Sequence, residues 1–246
     1  MKLLRCMLFN LSFYGLTTVM CVLCLPALVL PKQAVWFCAK SWARITLFLA
    51  HHVCGIKLDL RDPQNLRFSQ STIFSAKHQS AFETIALTLL IPRPSFILKR
   101  ELLFLPLFGL YLKKIGAVAI DRKAGASAIK EMVKQARARL ESGHSLVIFA
   151  EGTRSSPDNE NPTYLPGVAA LYSQLQVPVV PVALNSGLCW GRKAFLKKPG
   201  IVSIEFLPPI AAGMDKKAFM ATLKSQVETA SANLRDEERK RLQKTS

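Results

Sequence analysis

Residues 6–30, CMLFNLSFYGLTTVMCVLCLPALVL, carry no charged side chain. A helix needs about 20 apolar residues to reach across the hydrocarbon core of a bilayer, so this run is long enough to do so. Lys2 and Arg5 precede it, and Pro31-Lys32 closes it. A secretory signal peptide also starts with basic residues, but its apolar region is shorter and ends in a small-x-small cleavage site. This run has no such site, and no convincing lipobox precedes Cys21 or Cys24. The segment therefore reads as a retained membrane anchor. Charged residues still make up 20% of the chain at a mean hydropathy of +0.22, which excludes a multi-span membrane protein. The apolar excess is concentrated at one end.

Residues 33–55, QAVWFCAKSWARITLFLAHHVCG, read as a second helix. Trp36, Phe37, Ile45, Leu47, Phe48 and Leu49 supply apolar surface, while Lys40 and Arg44 interrupt it. This is the pattern of an interfacial helix with an aromatic belt, on which His51 and His52 would meet head groups. Basic residues flank the first segment on both sides, which conflicts with one simple crossing under the positive-inside rule. A re-entrant helical hairpin in one leaflet resolves the conflict. The chain then divides into a membrane-anchoring hairpin over 1–55 and one further domain over 56–246, of ordinary domain size.

The formal net charge is +17, which favours polyanions: nucleic acid, an anionic bilayer or phosphorylated substrates. A nucleic-acid binder would show a recognisable module or basic residues interleaved with aromatics, and neither occurs. Five of the six cysteines lie in the apolar N-terminal quarter. Cys21 and Cys24 form a C-x-x-C, but with no second pair and no nearby ligands they read as small hydrophobes. Nothing points to a disulfide framework, so a reducing compartment fits.

From residue 56 the pattern alternates. Strands are expected over 71–77, 95–98, 117–121, 145–150, 179–184 and 201–207, and helices over 80–91, 126–142, 167–176 and 215–234, the last followed by a charged tail. Alternation of this kind implies an α/β fold: a mixed, largely parallel sheet flanked by helices. In such sheets ligand sites gather beyond the carboxyl ends of the strands.

One such strand end carries Lys77-His78-Gln79-Ser80-Ala81-Phe82-Glu83. Ser80 reads as an N-cap, and Ser80-x-x-Glu83 fits a capping box, which alone accounts for Glu83. On a continuous helix, residues five apart point about 140° away from each other. His78 and Glu83 can meet only if His78 precedes the helix, where the chain bends. A carboxylate on one ring nitrogen then fixes the tautomer, frees the other nitrogen as a base and favours the imidazolium.

His78-x-x-x-x-Glu83 resembles the His-x4-Asp signature of the glycerolipid acyltransferases, especially the 1-acylglycerol-3-phosphate acyltransferases. Three further blocks follow in the family's order. Lys99-Arg100-Glu101-Leu102 with Pro106-Leu107-Phe108-Gly109 is similar to K-x-E-L-x-x-x-P-x-x-G, and Gly116–Arg122 (GAVAIDR) to the strand after it. Phe149-Ala150-Glu151-Gly152-Thr153-Arg154-Ser155 resembles F-P-E-G-T-R-S, and 177–183 (VPVVPVA) resembles V-P-(I/V)-x-P-V. The departures are Glu83 in place of Asp, Ala150 in place of Pro, and no Lys before Gly167. Read as chemistry, Gly152 allows close backbone approach, Arg154 offers a planar fork for phosphate, and Thr153, Lys99 and Arg100 add donors and charge at strand ends.

The resemblance implies acyl transfer from acyl-CoA or acyl-carrier protein to lysophosphatidic acid. His78 would be general base and Glu83 its partner. Lys99, Arg100, Glu151, Gly152, Thr153 and Arg154 would form the phosphate-binding loops, with Glu151 organising its own. No cofactor or metal is expected, since the four histidines lack ligand spacing. Transfer would be direct, because Cys189, the one cysteine near the blocks, has no matched base. The expected location is a membrane with an anionic surface, a bacterial inner membrane with the catalytic domain on its cytoplasmic face. Two alternatives stay open: a relative with another acceptor, such as a lyso-ornithine lipid or other lysophospholipid, and a non-catalytic basic protein that only binds anionic lipid.

Overall fold

The computed structural model describes residues 2–66, 72–121, 124–159 and 161–245. Ser71 and Arg122, at the ends of two stretches read from the sequence, lie outside the described residues. The strands are β1 (Ile56–Arg61), β2 (Ile73–Ala76), β3 (Pro94–Lys99), β4 (Val118–Ile120), β5 (Ser145–Phe149), β6 (Val179–Leu184) and β7 (Gly200–Phe206). The helices are α1 (Lys2–Leu23), α2 (Lys32–Cys54), α3 (Phe82–Leu90), α4 (Phe108–Ile115), α5 (Gly125–Glu141), α6 (Pro166–Leu175) and α7 (Lys216–Thr245).

Every residue of β2 and β6 is buried, as apolar runs covered on both faces must be. They sit centrally in a seven-stranded sheet of order β1-β7-β6-β2-β5-β3-β4. Pairings between these strands are parallel except β6 with β7, so the fold is the mixed, largely parallel α/β sheet that the alternation implies. Phe74 of β2 packs with α2 and α3 through Ala43, Ala50, Phe82 and Ile85 on one face. Ile73, its neighbour in the pleat, packs with α5, α6 and α7 through Met132, Leu171 and Phe219 on the other.

The N-terminal segments form a helical hairpin, with a 3-10 turn over Leu25–Leu28 between α1 and α2. Among the described residues α1 is the helix long and apolar enough to cross a membrane. It also lies against the rest of the protein. Phe9 meets Trp190 edge-on at 5.1 Å, and Lys197 Nζ donates to Asn10 Oδ1 at 2.8 Å. Trp42 Nε1 of α2 donates to Thr17 Oγ1 at 3.0 Å. Leu3, Leu4, Leu8, Leu11 and Val19 on the outer side stay exposed.

Two elements have no counterpart in the sequence reading. Strand β1 is short and polar at alternate positions, and it pairs along the edge with β7. Helix α4 has eight residues, too few for a 3.6-residue period to be visible. The charged tail expected after 234 instead continues α7 to Thr245. Ion pairs hold it there: Arg61 with Glu237 at 2.7 Å, and Arg241 with Glu238 at 2.7 Å. Glu238 Oε1 also accepts the Ile201 N–H at 2.8 Å, docking the tail on β7.

Candidate active site

Because β6, β2, β5 and β3 are adjacent and parallel, their carboxyl ends open at one edge of the sheet. Lys77 and His78 follow β2, residues 150–154 follow β5, Lys99 ends β3, and Asn185-Ser186 follows β6. The four sequence blocks are thus brought together by strand order.

His78 lies before α3, and the chain bends there. The helix begins at Phe82, two residues later than the expected Ser80, although Ala81 before it has near-helical angles (φ −81°, ψ −23°). Ser80 still works as a cap: its Oγ accepts the Phe82 N–H at 3.0 Å. Glu83 Oε1 reaches back to the N–H groups of Gln79 (2.8 Å) and Ser80 (2.7 Å). The same oxygen meets His78 Nδ1 at 2.9 Å. Glu83 is fully buried, and its Oε2 accepts the Ser186 hydroxyl at 2.7 Å. One carboxylate therefore caps the helix and orients the imidazole. With Nδ1 engaged, Nε2 is the ring nitrogen left to act.

Three further contacts fix the residue, one on its ring and two on its backbone. The ring stacks on Phe149 with centroids 3.9 Å apart and planes 17° from parallel. The His78 N–H donates to Glu151 Oε1 at 3.0 Å, and the Ser155 N–H donates to the His78 carbonyl at 2.8 Å. Glu151 is buried and lies 3.8 Å from Lys77 Nζ. Lys77, also buried, donates to both oxygens of Glu228 on α7 at 2.8 and 2.6 Å. Tyr164 donates to Glu228 Oε1 at 2.9 Å. Burial and the Glu228 carboxylate raise the Tyr164 phenol above its ordinary value, so it remains a donor.

In front of His78 lies a cavity of about 1070 Å³. Its walls are mostly apolar: Thr17, Met20 and Trp42 from the hairpin face Phe96 of β3 and Tyr111 and Ile115 of α4. Its lining also includes Lys99, Arg154, Arg192 and Lys193. An apolar cleft with one base and four cations suits an acyl chain joined to an anionic group.

Of the residues singled out from sequence, His78, Lys99, Gly152, Thr153 and Arg154 line this cavity, and Glu83 stands behind His78. Gly152 takes φ +67°, the left-handed turn that starts the loop after β5. Glu151 points inward to the His78 backbone rather than into the cavity. Arg100 lies 3.5 Å from Asp121 and does not line the cavity. Ser186, Arg192 and Lys193 carry no signature in the sequence, and Lys77 and Phe149 lie inside the quoted blocks without a role assigned to them there. Arg192 Nη1 donates to the Arg154 carbonyl at 3.1 Å, tying the two loops together. Burial, then the nearby Glu238 carboxylate, pushes the Cys189 thiol up to about 12, far from a nucleophilic thiolate.

Known proteins resemble this chain in sequence and in fold. Residues 57–185 match the family model described as Acyltransferase. The chain is 34% identical over 201 residues to a 1-acyl-sn-glycerol-3-phosphate acyltransferase of Pseudomonas aeruginosa, covering 81% of this chain and 77% of the relative. It is 30% identical over 212 residues to the human 1-acyl-sn-glycerol-3-phosphate acyltransferase alpha, covering 82% and 71%. The crystal structure of the 1-acyl-sn-glycerophosphate (LPA) acyltransferase PlsC from Thermotoga maritima has the same fold, with a TM-score of 0.75 at 19% identity over 95% of this chain and 98% of that one.

Proposed function

The chain belongs to the acyltransferase family, and from that premise we propose that it moves a fatty acyl group from an acyl thioester to the free hydroxyl of 1-acyl-sn-glycerol-3-phosphate, giving phosphatidic acid. The observation that carries this reading is His78, held by Glu83 at 2.9 Å and facing a cavity that is apolar within and basic where Lys99, Arg154, Arg192 and Lys193 line it. The relatives' activity on the phosphorylated lysolipid supports the same acceptor.

The acceptor hydroxyl attacks the thioester carbonyl as His78 Nε2 takes its proton. Glu83 stabilises the imidazolium. A C–O bond forms, the C–S bond breaks, and the proton passes on to the leaving thiolate. Lys99 and Arg154 hold the acceptor phosphate so that its hydroxyl is presented to the carbonyl. The basic rim suits either acidic donor, acyl-CoA or acyl-carrier protein.

Residues 1–55 serve as the membrane element and 56–246 as the catalytic domain. Helix α1 turns Cys6, Phe9, Asn10, Phe13 and Thr17 inward along its length, at spacings of three and four. That supports a hairpin lying in one leaflet; the side we propose for it is the cytoplasmic face of a bacterial inner membrane.

The test is acyl transfer from both donors to lysophosphatidic acid and to a panel of other lysolipids, including lyso-ornithine lipid. Lysophosphatidic acid should be the best acceptor. His78→Ala should lower kcat by about 10²–10⁴-fold, the range of general-base assistance, with the fold intact by circular dichroism. Full activity in that variant, or no transfer to any acceptor by the unaltered protein, would sink the mechanism.

A further inference from the structure

The segment between β3 and β4 leaves large apolar side chains partly or mostly exposed. Phe104 is 70% exposed, Leu105 46% and Leu110 46%. Isolated apolar residues on a surface are ordinary, but three within seven positions on one knuckle are not.

The knuckle is held in a fixed shape. Leu107 sits at φ +58°, ψ −51°, a backbone conformation that a non-glycine residue rarely adopts. Gly109 is buried where a Cβ would come within 2.0 Å of the Leu103 carbonyl oxygen, so only glycine fits. The Gly109 N–H closes the turn on the Leu105 carbonyl at 2.9 Å.

Its position gives the exposure a meaning. Helix α4 packs on the tip of the hairpin: Ile115 clusters with Ala27 and Val35, and the Tyr111 hydroxyl donates to the Cys21 carbonyl at 2.7 Å. Leu102, Phe108 and Tyr111 from the same segment line the cavity. The apolar surface of the hairpin therefore continues onto the knuckle, and the cavity lies between them. Cations flank it: Lys99, Arg100, Lys113 and Lys114 against Glu101, with Arg100 paired to Asp121.

We propose that Phe104, Leu105 and Leu110 form a second membrane-contact element that enters an anionic bilayer surface beside the hairpin, seating the cavity mouth at the lipid interface. An apolar knuckle with a basic collar is complementary to acyl chains beneath anionic head groups. A lysolipid could then pass laterally from the leaflet to His78 without crossing water. The contact rests on the membrane reading of the hairpin, but not on the acyl-transfer reading.

The experiment replaces Phe104, and separately Leu110, with photoreactive benzoylphenylalanine in the full chain. The protein is reconstituted in vesicles of phosphatidylglycerol and phosphatidylethanolamine and irradiated. Phospholipid adducts, read by mass, should form at 104 and 110, and none at Lys134 on the outer side of α5. No adduct at 104, or a crosslink to a second copy of the chain, overturns the proposal. Because adducts need no turnover, this result is independent of whether the acyl-transfer reading holds. In a second arm, Phe104→Asp with Leu105→Asp should raise the apparent KM for vesicle-borne acceptor by about tenfold or more, from the lost apolar burial. Turnover of a water-soluble short-chain acceptor should not change. An unchanged vesicle KM overturns the contact.

Discussion

At Glu83 a single carboxylate holds four donors: the N–H groups of Gln79 and Ser80, His78 Nδ1 and the Ser186 hydroxyl. These bonds offset the cost of burying the carboxylate. Glu83→Gln keeps the size and an acceptor oxygen but removes the charge that favours the imidazolium. We expect kcat to fall by about 10²–10⁴-fold with little change in thermal stability, and Glu83→Asp to recover part of the loss. Equal activity of the Gln variant would show that the charge is not used. Ser186→Ala leaves Oε2 buried without its donor, so the protein should lose about 1–3 kcal/mol of stability in denaturant unfolding. A ΔΔG near zero would mean that water replaces the hydroxyl.

At the scale of elements, α7 reaches the site through charge. Glu228 holds buried Lys77, whose neighbour Glu151 holds the backbone of His78. Breaking a buried pair by removing one partner costs about 3–5 kcal/mol; Glu228→Gln should sit near the lower end, since Glu151 stays 3.8 Å from the ammonium. Urea titration checks this, and a loss below about 1 kcal/mol would show the pair to be solvated.

The turn between α5 and β5 adds a pH dependence. Burial, then Lys32, Arg139 and Arg93, lowers the His144 pKa below its ordinary 6.5. The folded chain thus binds fewer protons than the unfolded chain below about pH 6.5, so stability is full above that value and is lost as pH falls through the lowered folded pKa. The melting temperature should drop as pH falls below about 6.5, and less so in His144→Gln. Identical pH profiles in the two proteins would contradict this.

Legibility also divides by element. The apolar runs of β2, β5 and β6 and the His78–Glu83 spacing are local signals, and each appears where its residues predict. Ser186 lies 103 residues from the carboxylate it serves, and Arg192 reaches Arg154 across 38. Nothing in a local window encodes such contacts; strand order alone creates them. Arg100 illustrates the converse. Its sequence position matches that of Lys99, but as the residue after the strand it turns to Asp121 instead of the cavity.

For the whole molecule, the proposed membrane contact rests on two forces, and salt separates them. On that reading the formal charge of +17 would draw the protein to anionic lipid, at about 1 kcal/mol for each cation close to the surface. Raising ionic strength from about 0.15 to 1 M shortens the screening length from about 8 to 3 Å, which removes most of that attraction. The outer faces of α1 and α2, with Leu3, Leu4, Leu11, Phe37 and Phe48 exposed, are indifferent to screening. In vesicle co-sedimentation the preference for phosphatidylglycerol over phosphatidylcholine should therefore vanish at high salt, while the protein stays with both kinds of vesicle. Release by salt alone would make it a peripheral, charge-held protein and leave the apolar hairpin without a lipid to face. Persistence on vesicles, with activity on an embedded acceptor now equal on both lipids, would assign the charge to gathering anionic substrate and the hairpin to anchoring. That division matches the cavity itself, where cations line part of a mostly apolar wall.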